Sequence, residues 1–290
     1  MDGVTLSKTG DYTDGDGSDS YAVNAVVAAK SAGTMYLSNA EIISQARGAN
    51  DLFASSEGST LYAYNVKTHN TSSSSREIDS TYGGTAVGYL LDIATEGDPC
   101  AAITTDRGGG HVSVANSTLS TAGDGSPLLY SIGNIEVENV TGEGIGAQIV
   151  GMEGLNSVQI KNCILTGANA KASESVYNGV IIYQSTSGDS SEGTAVSEAT
   201  GSTLTSKITG GSMTYITTTT AKITLQNTTL NFDSDSCYVL YAAENDDSNG
   251  WCSAGSNGAE VNFTGVNDTT HTGDGKGVSA SALVTEPYGT

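Results

Sequence analysis

His111-Val112-Ser113-Val114-Ala115-Asn116-Ser117-Thr118-Leu119 is the stretch that decides the fold. Its apolar residues alternate with polar ones, an Asn follows at the next inward position, and a Leu closes it three residues later. Val158-Gln-Ile-Lys-Asn162-Cys-Ile-Leu165 repeats the pattern, as do Ile223-Thr-Leu-Gln-Asn227-Thr-Thr-Leu230 and Met35-Tyr-Leu-Ser-Asn39-Ala-Glu-Ile42. Leu61-Tyr-Ala-Tyr-Asn65 and Ile135-Glu-Val-Glu-Asn139 are degraded copies. Weaker matches put Asp92, Gly201 and Gly265 in the Asn slot, and slots lie 23 to 27 residues apart except for two steps of 39 and 38. Helical repeats would space their apolar residues at 3.6, whereas here the spacing is two. The expectation is an all-β parallel solenoid of about ten coils, one repeat per coil. Asn39, Asn65, Asn116, Asn139, Asn162 and Asn227 would form an inward ladder, hydrogen-bonded up and down the stack. Gly suits the same slot where the corner needs positive φ. A β-sandwich spaces its turns similarly but gives no reason for an Asn to recur in register.

Composition agrees. The 290 residues include 37 Gly but only 3 Pro, 1 Trp and 3 Phe, and 37% are hydrophobic. A solenoid needs only a thin column of Val, Ile and Leu, because each coil covers the next. The repeat makes residues 1–290 one domain. Residues 1–20 are a partial first coil with an acidic loop, 21–265 are regular coils, and 266–290 are a last coil or cap. Insertions fall near 168–193 and 244–258.

A net charge of −21 argues against nucleic acid and anionic membranes, both of which reward basic patches. No stretch approaches the roughly 20 apolar residues of a membrane span, so direct membrane insertion is not expected. No signal peptide is read at Met1, so an extracellular or cell-surface setting is expected from composition alone. Asp11-Tyr-Thr-Asp14-Gly-Asp16-Gly-Ser-Asp19 resembles a calcium loop, yet the spacing of an EF-hand is not met, and a solvated acidic loop is the favoured reading. In Thr105-Asp-Arg-Gly-Gly-Gly110, Arg107 could serve a lyase as its basic residue. Pairing with Asp106 or a neighbouring Glu, a surface contact of roughly 0–1 kcal/mol, is favoured over it.

The two long steps carry insertions, and insertions in repeat proteins often map to a binding face. Part of the first and all of the second follow Ile181-Ile-Tyr183-Gln and Val239-Leu-Tyr241-Ala, which suggests one turn as their common origin. An apolar column of Phe53, Ile78, Ile103, Leu129, Ile149, Ile182 and Leu240 should face the core. The residue after each, Ala54, Asp79, Thr104, Tyr130, Val150, Tyr183 or Tyr241, with Tyr215 in the same column, should face out. Tyr130, Tyr183, Tyr215 and Tyr241, with Trp251 of the second insertion, could then form a stacking platform for sugar rings. Strand tyrosines packed under the insertions are the equal alternative. Glu244, Asp246 and Asp247 beside them could accept sugar hydroxyls or hold a Ca²⁺ ion. Cys237 and Cys252 bracket the second insertion and could clamp it, whereas Cys100 and Cys163 should be free.

Thr105-Asp-Arg-Gly-Gly-Gly110, Gly125-Ser-Pro-Leu-Leu-Tyr-Ser131 and Val180-Ile-Ile-Tyr-Gln-Ser-Thr-Ser-Gly-Asp189 resemble segments of exported β-helix proteins of anaerobic bacteria, described as adhesin-like or carbohydrate-binding. The resemblance implies a single-stranded right-handed parallel β-helix, an extracellular or cell-surface setting, and a glycan or host-surface ligand. It supplies no functional residues. The function expected is a non-enzymatic binding module. A subunit of a self-associating extracellular filament or surface layer is the alternative, and a polysaccharide lyase comes third because the chain lacks a base beside a carboxylate cluster.

Overall fold

A computed structural model describes residues 1–170, 178–232, 238–242, 258–271 and the backbone of Leu283–Thr285. The chain forms a parallel β-solenoid of about eight turns, somewhat fewer than the ten expected. Among the described residues the strands make two sheets, one of seventeen strands and one of ten. The ten short strands run from Val27–Lys30 and Leu52–Ser55 to Leu240–Ala242 and Leu283–Thr285. After the short Thr5–Lys8, the other sheet continues with long strands, Thr34–Ser44, Thr60–Asn70 and Gly84–Thr95, each bent in the middle. Later coils break at the bend, as in Gly110–Ala115 and Thr118–Thr121. Every ladder among the described residues is parallel except Gly146–Ala147 against Ala168–Asn169. No helix among the described residues is long and apolar enough to cross a membrane.

The core is the column that the alternation anticipates. Val112 and Val114, Ile135 and Val137, Val158 and Ile160 are buried from the long-strand side, against Ile78, Ile103, Leu129, Val150 and Ile182 from the short strands. Each such side chain contributes roughly 1.5–3 kcal/mol by leaving water. One outward-facing cluster stands apart from this core, formed by Ile181, Tyr183 and Tyr215 with Tyr241 packed on it.

The asparagines do mark the bend, but they do not point inward. All six have φ between 49° and 54°, the left-handed region, and Gly201 and Gly265 share it at 59° and 70°. Asn116 is half-buried and the other five are exposed. A residue in this conformation reverses the two-residue parity, so the residue after the slot faces in. Ala40, Val66, Val140, Ser117, Cys163, Ser202 and Thr228 are accordingly all buried. Two pairs of them are hydrogen-bonded on the outside, where Asn65 Nδ2 donates to Asn39 Oδ1 (2.7 Å) and Asn139 Nδ2 to Asn116 Oδ1 (3.2 Å). Asn is chosen because its short polar side chain tolerates the left-handed region better than most. Asp92 is not in the slot: Val66 pairs with Leu91, which puts Leu90 (φ 57°) opposite Asn65.

Two further parities differ from the expectation. Phe53 pairs with Asp79 and so belongs to the outer face, while Ala54 lies in the core. Val150, not Ile149, pairs with Leu129, and Tyr130 stands opposite Gly151. The acidic loop is not a loop throughout. Gly15–Asp19 form a short helix laid on the outer face of the short strands, where Ser20 O accepts from Thr81 Oγ1 at 2.8 Å.

Candidate functional site

Phe53, Asp79, Thr104 and Tyr130 follow one another in register on the outer face of the short-strand sheet. Tyr183 belongs two residues further along its strand, paired with Glu153, whereas Tyr215 pairs with Ile181 and Tyr241 with Tyr215. Tyr183 and Tyr241 therefore share a face but not a column. The turn Asp106–Gly109 closes one side. Gly109 N–H donates to Asp106 O (3.0 Å), Arg107 N–H donates to Asp106 Oδ1 (2.8 Å), and Gly108 has φ 76°. A Cβ at Gly108 would come within 2.5 Å of the Tyr82 ring, so only glycine fits.

Beside this turn lies a cleft of about 190 Å³, lined by Asp16, Asp19, Arg76, Asp106, Arg107, Tyr130, Glu153 and Asp189 among others. Its arginines are committed. Arg76 binds Asp19 (2.7 Å) and Asp106 (3.3 Å), and Arg107 binds Asp16 (2.9 Å) and Asp189 (2.5 Å). Arg107 thus straps the N-terminal helix to the segment after Gln184. It does not pair with the Asp106 carboxylate as expected, though it remains an ion-pairing residue. Asp16 and Asp19 are likewise taken up by arginine.

The tyrosines of this face are tied down as well. Tyr183 Oη donates to Glu153 Oε1 (2.8 Å), Tyr130 Oη donates to the same oxygen, and the two hydroxyls lie 3.2 Å apart. Burial raises Glu153 above the ordinary carboxylate range, and burial beside Tyr183 and Glu153 pushes Tyr130 well up. Asp79 and Asp106 are raised too, chiefly by burial, with Arg76 pulling the other way. Tyr183 and Tyr215 are only 6% and 7% exposed, so they are packing residues rather than a platform. Tyr215 and Tyr241 stack tilted at 5.6 Å. Trp251, Glu244, Asp246, Asp247, Cys237 and Cys252 lie outside the described residues. Cys100 and Cys163 are free and buried, and burial pushes the Cys100 thiol up to about 12, which makes it inert.

The opposite sheet carries aromatics of another kind. Tyr36 and Tyr62 are in register, as are Tyr64 and Tyr89. Their rings stack at 5.0 Å and 10°, and at 5.9 Å and 3°. They are 64%, 40%, 51% and 43% exposed. The signal for them was inside the repeats themselves: Met35-Tyr-Leu-Ser-Asn39 and Leu61-Tyr-Ala-Tyr-Asn65 place tyrosine at outward positions beside each slot. Further along this face a shallow depression of about 240 Å³ is lined by Ser113, Ala115, Glu136, Glu138, Gln159 and Lys161 among others. The larger hollow of about 470 Å³ is the bend itself, with Glu41, Lys67 and Asp92 in its lining and no aromatic residue.

No family model, curated protein or solved structure matches the chain.

Proposed function

We propose that this protein is a carbohydrate-binding β-solenoid that works outside the cell or on its surface, without turning its ligand over. The observation that carries the reading is the set of four exposed, pairwise stacked tyrosines on the outer face of the long-strand sheet. Aromatic rings held on a stiff sheet offer C–H/π contact to sugar rings with little loss of side-chain freedom, and their hydroxyls take part in hydrogen bonds. Single exposed apolar residues are ordinary, whereas a contiguous aromatic strip is not. The acidic composition favours a ligand without phosphate or sulfate groups.

The test is retention in affinity gels containing neutral polysaccharides such as mixed-linkage glucan, xylan and galactomannan. The native chain should be retarded by at least one of them. The variant Tyr36→Ser/Tyr62→Ser/Tyr64→Ser/Tyr89→Ser should migrate freely with an unchanged circular dichroism spectrum, while Tyr130→Phe should behave as the native chain does. Retention of the fourfold variant would overturn the reading.

A further inference from the structure

The two tyrosine ladders stop at different heights. Tyr36 and Tyr62 are followed in register by Val87 and then Ser113, while Tyr64 and Tyr89 are followed by Ala115 and then Glu138. Successive rungs of a sheet lie about 4.8 Å apart, close to the separation of the stacked rings, so the ring planes lie across the solenoid axis. Within a ladder each ring covers its neighbour. The last ring of each ladder turns one whole face toward the residue that follows. At Val87 a branched side chain occupies part of that space. At Ala115 there is only a methyl group, and the depression of about 240 Å³ begins at that residue.

The groups around this vacancy are of one kind. Ser113 stands beside Ala115 on the same strand, two residues away on the same face. Glu136 and Glu138 follow one turn on, and Gln159 and Lys161 one turn beyond, with Lys161 Nζ 2.7 Å from Glu138 Oε1. The lining therefore brings donors and acceptors within reach of each other, and the register sets Tyr89 one rung before Ala115 at its edge.

We infer that the step over Ala115 is a subsite for one pyranose ring of a neutral glycan, the ring taking the place of the missing rung against Tyr89 and turning its hydroxyls to Ser113, Glu136, Gln159 and the Glu138–Lys161 pair. A saturated sugar ring is about as thick as one rung is high, and its C–H face suits an aromatic face. Sugar hydroxyls both donate and accept, which matches a lining that mixes carboxylates, an amide, a hydroxyl and an ammonium. A uronic acid would bring its own carboxylate against Glu136 and Glu138, and a nucleotide would bring phosphate to a chain of charge −21.

The inference rests on the carbohydrate reading above, and the experiment separates the two. Ala115→Tyr extends the Tyr64–Tyr89 ladder by one rung and fills the subsite with a residue suited to an outward strand position. On the neutral gel that retards the native chain, Ala115→Tyr should lower the affinity at least tenfold, with a urea midpoint no lower than the native one. Ala115→Ser should bind as the native chain does, and Glu136→Gln should weaken binding a few-fold. Native affinity in Ala115→Tyr, together with loss in the fourfold tyrosine variant, would overturn the subsite and leave the ladder reading standing. Native affinity in both variants, or no retardation of the native chain on any neutral gel, would overturn both.

Discussion

The outer faces of the two sheets obey the same alternation and meet opposite fates. On the short-strand sheet the outward residues lie beneath other parts of the chain: the Gly15–Asp19 helix, Ser20 and the segment that holds Asp189. Its arginines and tyrosines bind the carboxylates of Asp16, Asp19, Asp106, Glu153 and Asp189. On the first turns of the long-strand sheet none of the described segments lies over Tyr36, Tyr62, Tyr64 and Tyr89, which meet solvent. An outward tyrosine is thus no sign of a ligand by itself. What distinguishes the faces is whether a distant segment returns to lie on them.

Four measurements would break or sharpen this contrast. The largest effect should come from the covered face. Arg76→Ala leaves Asp19 and Asp106 without their buried partner, and the uncompensated charge should cost about 3 kcal/mol in urea unfolding. A value near zero would mean that the network there is dispensable.

The second concerns pH. Asp51 and Glu77 are fully buried where the short strands begin. Burial raises both, Glu77 to about 7, with the neighbouring carboxyl adding to the rise at Asp51. A carboxyl raised in the folded state prefers its neutral form there, so its contribution is complete below the unfolded value and lost as pH climbs through the folded one. Stability should therefore fall between about pH 5 and pH 8, by up to about 3 kcal/mol. Glu77→Gln should flatten that slope. A rise in stability over the same window would contradict the assignment.

The third belongs to the bare face. The fourfold tyrosine-to-serine change removes two stacked pairs, each worth about 0.5–1.5 kcal/mol, and should lower the urea midpoint only modestly while abolishing glycan retention. A collapse of stability would make these tyrosines structural, like their counterparts opposite. The smallest effect is expected at Arg107→Ala. Its ion pairs are partly open to water, so the cost should stay under about 1 kcal/mol and shrink further in high salt.

Much of the architecture was legible because the solenoid repeats its instructions. The period, the parallel pairing and most of the core column follow from Val112, Val114 and their copies. The slot positions were legible too, Asp92 excepted, but not their direction, since one left-handed residue at Asn116 moves the inward role to Ser117 and hides that shift from an alternation count. Phe53 misled for a different reason: it is fully buried, as a core residue would be, yet on the outer face. For Tyr130 and Tyr183 packing and a stacking platform stood level in the sequence, because Glu153, which accepts from both hydroxyls, cannot be matched to either by alternation alone. The exposed tyrosines needed no such information. Their parity beside Asn39 and Asn65 was sufficient.

Arg107 reaches Asp189, 82 residues ahead, and Asp16 far behind. Neighbouring coils can pair as soon as each is laid down, since their contacts are close in sequence, but this clasp has to wait until the turns between Asp106 and Asp189 are stacked. The Gly15–Asp19 helix is held earlier, by Arg76 on Asp19 and by Thr81 on Ser20. Arrival of Asp189 at Arg107 would serve as a clock for the whole middle of the solenoid.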